Sequence, residues 1–155
     1  MVFPRFLFCL LAPLALLAET HPRPPADQAW DGLSFQIEDS RAFVGIAPVY
    51  LSVSELTPRD GMLLGTYTIR VPLKKSKNDH GKIKLPLHSH NVGELGINGG
   101  VLRGKAHSAL DEGEVNLIVC EIIPEDDQAI RLAITTDDRT LKFESRYTVI
   151  QNETL

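Results

Sequence analysis

Apolar and polar residues alternate with a period of two along most of the chain after residue 30. The alternation runs through six segments: 33–38, 49–54, 66–73, 82–87, 130–135 and 141–149. A strand places successive side chains on opposite faces, so this pattern is typical of half-buried β-strands. Beyond the N-terminal segment, no ten-residue stretch free of Gly and Pro keeps the apolar spacing of an amphipathic helix. The chain is therefore predicted to be all-β.

The segment 115–123 (VNLIVCEII) departs from the alternation because its apolar residues fall on both faces. This predicts a central strand that is covered on both sides. Turn signals rich in Gly, Asn, Asp and Pro separate the strand segments, and the Asp137-Asp138 break is short enough for a hairpin. Pro72 and Pro86 are expected at strand ends or edges, because proline cannot donate to a ladder. About eight short strands at this spacing favour an antiparallel β-sandwich or a jelly-roll-like barrel.

The N-terminal residues have the pattern of a secretory signal peptide. One positive charge, Arg5, precedes 13 residues (6–18) without a charged or strongly polar side chain. That run is shorter than the roughly 20 residues of a spanning helix and matches the apolar region of a signal peptide. Cleavage after Ala18 is expected, with an uncleaved anchor as the alternative. The prediction is a signal peptide (1–18), a Pro-rich tether (19–29), one β domain (30–151) and a C-terminal tail (152–155).

This organisation predicts a secreted or periplasmic protein with no transmembrane span in the mature chain. A length of 155 residues fits one domain. A net charge of −4 and a pI of about 5.7 argue against nucleic acid as the main partner. After cleavage Cys120 is the one remaining cysteine, so no internal disulfide is possible. Cys120 is expected to be a buried small hydrophobe, with a reactive or intermolecular thiol as the alternative.

A histidine pair gives the sharpest local motif, His88-Ser89-His90 followed by Glu94. Two histidines at i and i+2 on a strand share a face and, with a third ligand, can hold a divalent transition metal. The order His-x-His-x-x-x-Glu resembles the first metal-binding motif of the cupin family, which has a jelly-roll-type fold. The resemblance covers residues 81–104 and implies a metal-dependent enzyme that uses His88, His90 and Glu94. Cupins supply a further histidine from a C-terminal motif, and no histidine follows His107 here. The alternatives are solvent-exposed histidines in a loop, or a pH-responsive or substrate-binding role.

A basic connection at 74–82 is the second candidate for binding. Lys74, Lys75 and Lys77 could contact phosphate, an acidic glycan or an anionic membrane surface. The alternative is a solvated hairpin loop whose lysines protect edge strands. Tyr50 falls on the polar face of its predicted strand, so it is a candidate for stacking against a sugar ring. Tyr67 and Tyr147 fall on apolar faces and are expected in the core.

Acidic residues recur in three turns, at 111–114, 125–127 and 137–138. If these turns gather at one end of a sandwich, their carboxylates can hold Ca²⁺, although none has EF-hand spacing.

Together these observations favour a non-catalytic module for binding, assembly or envelope support, with a protein or glycan partner outside the cytoplasm. No resident cofactor is expected, and no catalytic residue is identified. The competing hypothesis is the cupin-like enzyme with a divalent transition metal.

Overall fold

The computed structural model describes residues 32–111 and 113–152. They form ten β-strands, one 3₁₀ turn and one short helix. The strands are β1 (Leu33–Ile37), β2 (Ser40–Val44), β3 (Ala47–Val53), β4 (Thr57–Arg59), β5 (Met62–Arg70), β6 (Asp79–Pro86), β7 (Gly100–Ser108), β8 (Val115–Ile123), β9 (Ala129–Thr135) and β10 (Thr140–Gln151). The 3₁₀ turn spans Lys75–Lys77, and the helix α1 spans Val92–Asn98.

The strands form a single antiparallel sheet in the order β1-β10-β9-β8-β7-β6-β5-β3-β2, with β4 paired to β5. From β5 to β10, each strand pairs with the next strand along the chain. β1 and β2 stand first and last in this strand order, yet only Glu38 and Asp39 lie between them in the sequence. A connection of two residues cannot span the width of a flat sheet. The sheet is therefore curled into a half-barrel.

Hydrogen bonds join β1 and the β1–β2 bend to neighbouring parts of the sheet. Phe35 and Leu56 exchange two bonds, of 3.0 and 2.8 Å, which link β1 to the β3–β4 connection. The Glu38 N–H donates to the Arg146 carbonyl at 3.0 Å, and the Ser145 hydroxyl donates to the Glu38 carbonyl at 2.6 Å. The bend between β1 and β2 is therefore fastened to β10.

The concave face of the sheet carries the core. The alternating side chains of each strand point inward and are buried, from Phe35 of β1 to Tyr147 of β10. These two rings pack edge to face with their centroids 5.3 Å apart. Such pairs contribute roughly 0.5–1.5 kcal/mol beyond the area that they bury. Tyr67 is also buried, so the expectation that both inward tyrosines belong to the core is confirmed.

Helix α1 covers one end of this core. Asn91 caps it, because its Oδ1 accepts from the Glu94 N–H at 2.7 Å. The buried side chains of Val92 and Leu95 face the core. Gly96 allows close packing, since a Cβ there would lie 2.7 Å from Val149 Cγ2. Tyr147 Oη donates to the Gly96 carbonyl at 3.0 Å, which ties the helix to β10.

The prediction of an all-β antiparallel chain is confirmed, while the sandwich or jelly-roll-like barrel is not. The hairpin at Asp137-Asp138 is present, Pro86 ends β6, and Pro72 follows β5. The 115–123 strand has its predicted bounds, but the prediction that both its faces are covered is wrong. Only the inward face of β8 is buried, and Leu117 on the outward face is 61% exposed.

Several elements were not predicted: β2, β4, β7 and the seven-residue helix α1. The strand over 66–73 begins earlier and ends sooner, at Met62–Arg70, so Leu73 is exposed. The predicted signal peptide and tether lie outside the described residues. Within the described residues, no helix is long and apolar enough to cross a membrane.

Candidate functional site

A pocket of about 300 Å³ opens on the outer face of the sheet, where β3, β5 and the β5–β6 loop meet. It is lined by Tyr50, Arg70, Pro72, Lys75 and Asn78. Two of these residues, Tyr50 and Lys75, are candidates from the sequence. The structure therefore brings a tyrosine from one strand together with a lysine 25 positions further along the chain.

Strand register places Tyr50 between two arginines of the neighbouring strands. Tyr50 of β3 lies opposite Arg70 of β5 on one side and opposite Arg41 of β2 on the other. Side chains in directly opposite positions have Cβ atoms roughly 4.5–5.5 Å apart. Arg41 also lies over the Phe43 ring, with its Cζ 5.1 Å from the ring centroid. The outer face of β2, β3 and β5 thus presents a row of cationic and aromatic groups.

The loop that closes the pocket is fixed by its own hydrogen bonds. Asn78 Oδ1 accepts from the Val71 N–H at 2.7 Å, and the Lys74 N–H donates to the Val71 carbonyl at 2.9 Å. Pro72 has no N–H to continue the ladder, which is why β5 ends at Arg70. The bond from Val71 orients the Asn78 amide and leaves its Nδ2 side available to donate to a ligand.

The charges around the pocket favour an anion. Arg70 and Lys75 are both exposed, and none of the ion pairs between described residues includes either one. No acidic side chain lines the pocket. A guanidinium binds a carboxylate or phosphate through two parallel bonds, whereas an ammonium acts as a point charge.

The other two lysine candidates lie outside the pocket lining. Lys74 is exposed beside the pocket. Lys77 Nζ lies 3.7 Å from Asp138 Oδ2, which links the β5–β6 loop to the β9–β10 turn. Sequence reasoning missed Arg70, Pro72 and Asn78. The sequence feature that could have identified Arg70 as a site residue is its polar-face position in the 66–73 alternation, directly before the basic loop.

The His-x-His pair lies in a turn after β6, so its histidines do not share a strand face. His88 has a left-handed backbone with φ 52°, and the His90 N–H donates to the Leu87 carbonyl at 2.9 Å. Both histidines are exposed, and Glu94 is exposed in the first turn of α1. Across residues 32–111 and 113–152, no three His, Cys, Asp or Glu side chains are grouped so that they could hold a metal ion.

The three acidic turns do not gather at one end of the sheet. Asp111, Glu114 and the Asp137-Asp138 turn lie at the end where β8 begins, whereas 125–127 lies where β8 ends. Several of the carboxylates have cationic neighbours. Asp126 lies 3.4 Å from Arg131, and Asp127 lies 2.5 Å from Arg146. The predicted gathering of the three acidic turns, which a shared calcium site requires, is therefore wrong.

A partly buried polar cluster links β5, β6 and β7. Asp79 Oδ2 accepts from Tyr67 Oη at 2.6 Å, and Asp79 Oδ1 accepts from Ser108 Oγ at 2.6 Å and from the His80 N–H at 2.8 Å. Burial and the acceptor Asp79 together raise the pKa of Tyr67 well above its ordinary value. Each of these hydroxyls donates to a carboxylate, so the cluster serves to tie three strands together.

A second polar cluster joins the two ends of the described chain. Glu55 accepts from the buried Ser34 hydroxyl and, at 2.8 Å, from Asn152 Nδ2. These donors, first Ser34 and then Asn152, lower the pKa of the Glu55 carboxyl. The predicted C-terminal tail begins at Asn152, and that residue bonds to the domain through both its side chain and its backbone. Residues 153–155 lie outside the described part.

Cys120 is fully buried on the inward face of β8, as the first of the two interpretations predicts. Burial raises the pKa of its thiol to about 12. A thiol in this state is not a nucleophile at neutral pH.

The chain matches no protein-family model, no curated protein and no solved structure. The resemblance of residues 81–104 to the cupin motif stays a prediction.

Proposed function

We propose that the protein is a secreted or periplasmic, non-catalytic module that binds an acidic glycan in the pocket of Tyr50, Arg70, Lys75 and Asn78. One observation carries the proposal: two cations, which make no ion pair with another described residue, line the same pocket of about 300 Å³ as a half-buried tyrosine. A pocket of that size, open on a sheet face, accommodates one sugar ring with its acidic substituent.

Each lining residue has a distinct part in this binding. The Tyr50 ring offers a flat apolar surface for stacking against the sugar. Arg70 takes the carboxylate or phosphate through two hydrogen bonds, and Lys75 adds a second positive charge. Asn78 donates its Nδ2 protons to a hydroxyl. Because the pocket is open to water, binding is weak for a single sugar and increases when several are linked.

The location is supported by the sequence of residues 1–18, which has the charge and length of a signal peptide. N-terminal sequencing of the protein recovered from its native compartment tests this part of the proposal. A mature N-terminus at Glu19 supports it, and an intact Met1 in the cytoplasm contradicts it.

Calorimetric titration tests the binding. An oligosaccharide containing a uronic acid is compared with the neutral oligosaccharide of the same linkage. We expect only the acidic form to bind, with an affinity that falls as salt is added. Arg70→Gln should lower the affinity about 10- to 100-fold, because a hydrogen bond to a charged group contributes roughly 1.5–3 kcal/mol.

The loop offers a matched control. Lys75 lines the pocket, and its neighbour Lys74 has the same charge but does not. Lys75→Gln should weaken binding, whereas Lys74→Gln should leave it nearly unchanged. Equal effects from the two variants would mean that the loop acts through its net charge alone, and binding of the neutral sugar would contradict the proposal.

A further inference from the structure

The outward face of β6 and β7 is basic, although the protein as a whole is acidic. Its side chains are His80, Lys82 and Lys84 on β6, and Arg103, Lys105 and His107 on β7. No acidic side chain shares the outward face of these two strands, and no ion pair between described residues includes any of the six. We call this surface the basic face.

Like charges lie directly opposite each other on the basic face. The β6–β7 register pairs Lys84 directly with Lys105, and it places Lys82 opposite His107. Like charges in opposite positions destabilise a sheet, so their placement here costs stability. Both strands are paired on both sides, β6 by β5 and β7 by β8. The lysines therefore do not protect an edge strand, which was the alternative explanation for Lys82.

Aliphatic side chains border the basic face on one side. Val101 on β7 is 50% exposed, and on β8 Val115 is 45% and Leu117 is 61% exposed. Leu117 lies directly opposite Lys105, and Val115 lies directly opposite His107. The same outward surface therefore combines a cluster of cations with aliphatic groups. The one acidic side chain of β8, Glu121, lies opposite Val101 and 3.8 Å from Arg131.

We infer that this surface docks on a lipid bilayer that contains anionic headgroups. The cations meet the headgroup phosphates, and the aliphatic groups enter the boundary with the acyl chains. A polysaccharide or a nucleic acid would pair with the cations but would leave Leu117, Val115 and Val101 in water. Charge complementarity and the adjoining aliphatic groups together select the membrane as the occupant.

The inference is independent of the glycan pocket, which lies on β3, β5 and the β5–β6 loop. The outward residues Thr66 and Thr68 of β5 lie between the two surfaces. Variants in one surface leave the other intact, so the two proposals can fail separately.

Vesicle co-sedimentation tests the inference with the whole protein. Vesicles of phosphatidylcholine are compared with vesicles in which about 30 mol% is phosphatidylglycerol, at low salt and at about 0.5 M NaCl. We expect binding to the anionic vesicles only, and its loss at high salt. The protein used is the mature form, which the signal-peptide prediction begins at Glu19, so that residues 1–18 cannot bind the vesicles by themselves.

Two variants separate the charge from the aliphatic contribution. The variant Lys84→Gln/Lys105→Gln should lower the partition coefficient about 25-fold, which corresponds to roughly fivefold per lysine. Leu117→Ser should lower it about tenfold without changing its dependence on salt. The control Lys74→Gln/Lys142→Gln removes the same charge from exposed sites outside the basic face and should lower binding less than threefold.

The folding of Lys84→Gln/Lys105→Gln is not at risk, because this variant removes a like-charge pair and so relieves repulsion. Thermal unfolding should show that Lys84→Gln/Lys105→Gln is at least as stable as the wild type. Equal binding to neutral vesicles, or equal losses in the double variant and its control, would overturn the inference. It would also be overturned if a sulfated polysaccharide bound the basic face and the anionic vesicles did not.

Discussion

Tyr67 of β5 donates a hydrogen bond to Asp79 of β6 across a diagonal of the sheet. The two residues are not directly opposite each other in the β5–β6 register, because Tyr67 lies opposite Gly81 and Asp79 lies opposite Ile69. The ring of Tyr67 spans this diagonal and passes Gly81, where a Cβ would lie 3.0 Å from Tyr67 Cε1. A Cβ at Gly81 would also lie 1.8 Å from the His107 carbonyl oxygen of β7. The glycine therefore leaves room for the neighbouring strand and for the Tyr67 ring, which makes a partly buried bond of 2.6 Å to the carboxylate.

Tyr67→Phe should destabilise the protein by about 1–3 kcal/mol, because it leaves Asp79 Oδ2 without its buried donor. Tyr147→Phe is the matched control. It removes a hydroxyl that donates to a neutral carbonyl, that of Gly96, and should cost about 0.5–1.5 kcal/mol. Urea unfolding of both variants measures the difference. Equal losses would show that the charge of Asp79 contributes nothing.

Gly104→Ala should destabilise the protein by about 3 kcal/mol or more. A Cβ at this position would lie 2.0 Å from the Lys84 carbonyl oxygen, so β6 and β7 would have to separate. Gly113→Ala is the control, because the nearest atom to its Cβ is 3.6 Å away. Its stability should change by less than about 1 kcal/mol. Thermal unfolding compares the two, and a stable Gly104→Ala would contradict the packing of these strands.

Glu55 should make stability depend on pH in acid. The pKa of its carboxyl is lowered in the folded state, so the charged form is favoured there over the unfolded chain. The contribution is fully present above the ordinary value of 4.5 and is lost as the pH falls through the lower folded value. Because the side chain is largely solvated, we expect less than about 1 kcal/mol.

The variant Glu55→Gln isolates this contribution. Other acidic groups titrate in both proteins, so the difference between their unfolding free energies reports on Glu55. That difference should be constant above 4.5 and shrink as the pH falls below it. A difference that grows in acid would mean that the donors Ser34 and Asn152 do not favour the carboxylate.

Metal content distinguishes the binding module from the cupin-like enzyme. We expect the protein, purified without a histidine tag, to hold no stoichiometric transition metal in elemental mass spectrometry. His88→Ala/His90→Ala should therefore give the same metal content as the wild type. Stoichiometric metal that disappears in this variant would instead favour the enzyme, with His88, His90 and Glu94 as ligands.

The strands that sequence reasoning found are those in which apolar residues repeat every second position. β8 has its predicted bounds and β9 begins one residue early, because Ile118, Cys120 and Ile122 of β8 and Ile130, Leu132 and Ile134 of β9 give each strand a regular inward apolar set. β7 was missed because its inward face includes Gly104 and Ser108, and its outward face is basic. Helix α1 was missed because it has seven residues and two glycines. It is stabilised by its Asn91 cap and by packing, and neither of these appears as periodicity.

The candidate site was predicted in part. Tyr50 and Lys75 could be singled out because one is an aromatic on a polar face and the other lies in a basic loop. Arg70 could not be placed beside Tyr50, since their proximity depends on the β3–β5 register. The outward exposure of β8 was likewise hidden, because an apolar run does not reveal whether a second layer covers the strand.

The sequence by itself determined that this protein is all-β, where most turns fall and which residues enter the core, because side-chain alternation and turn chemistry are local properties of the chain. Tertiary structure decided that the sheet curls, which apolar residues stay outside, and which cations meet at the pocket and on the basic face. These features arise from pairing between distant strands, and such pairing depends on the whole sheet.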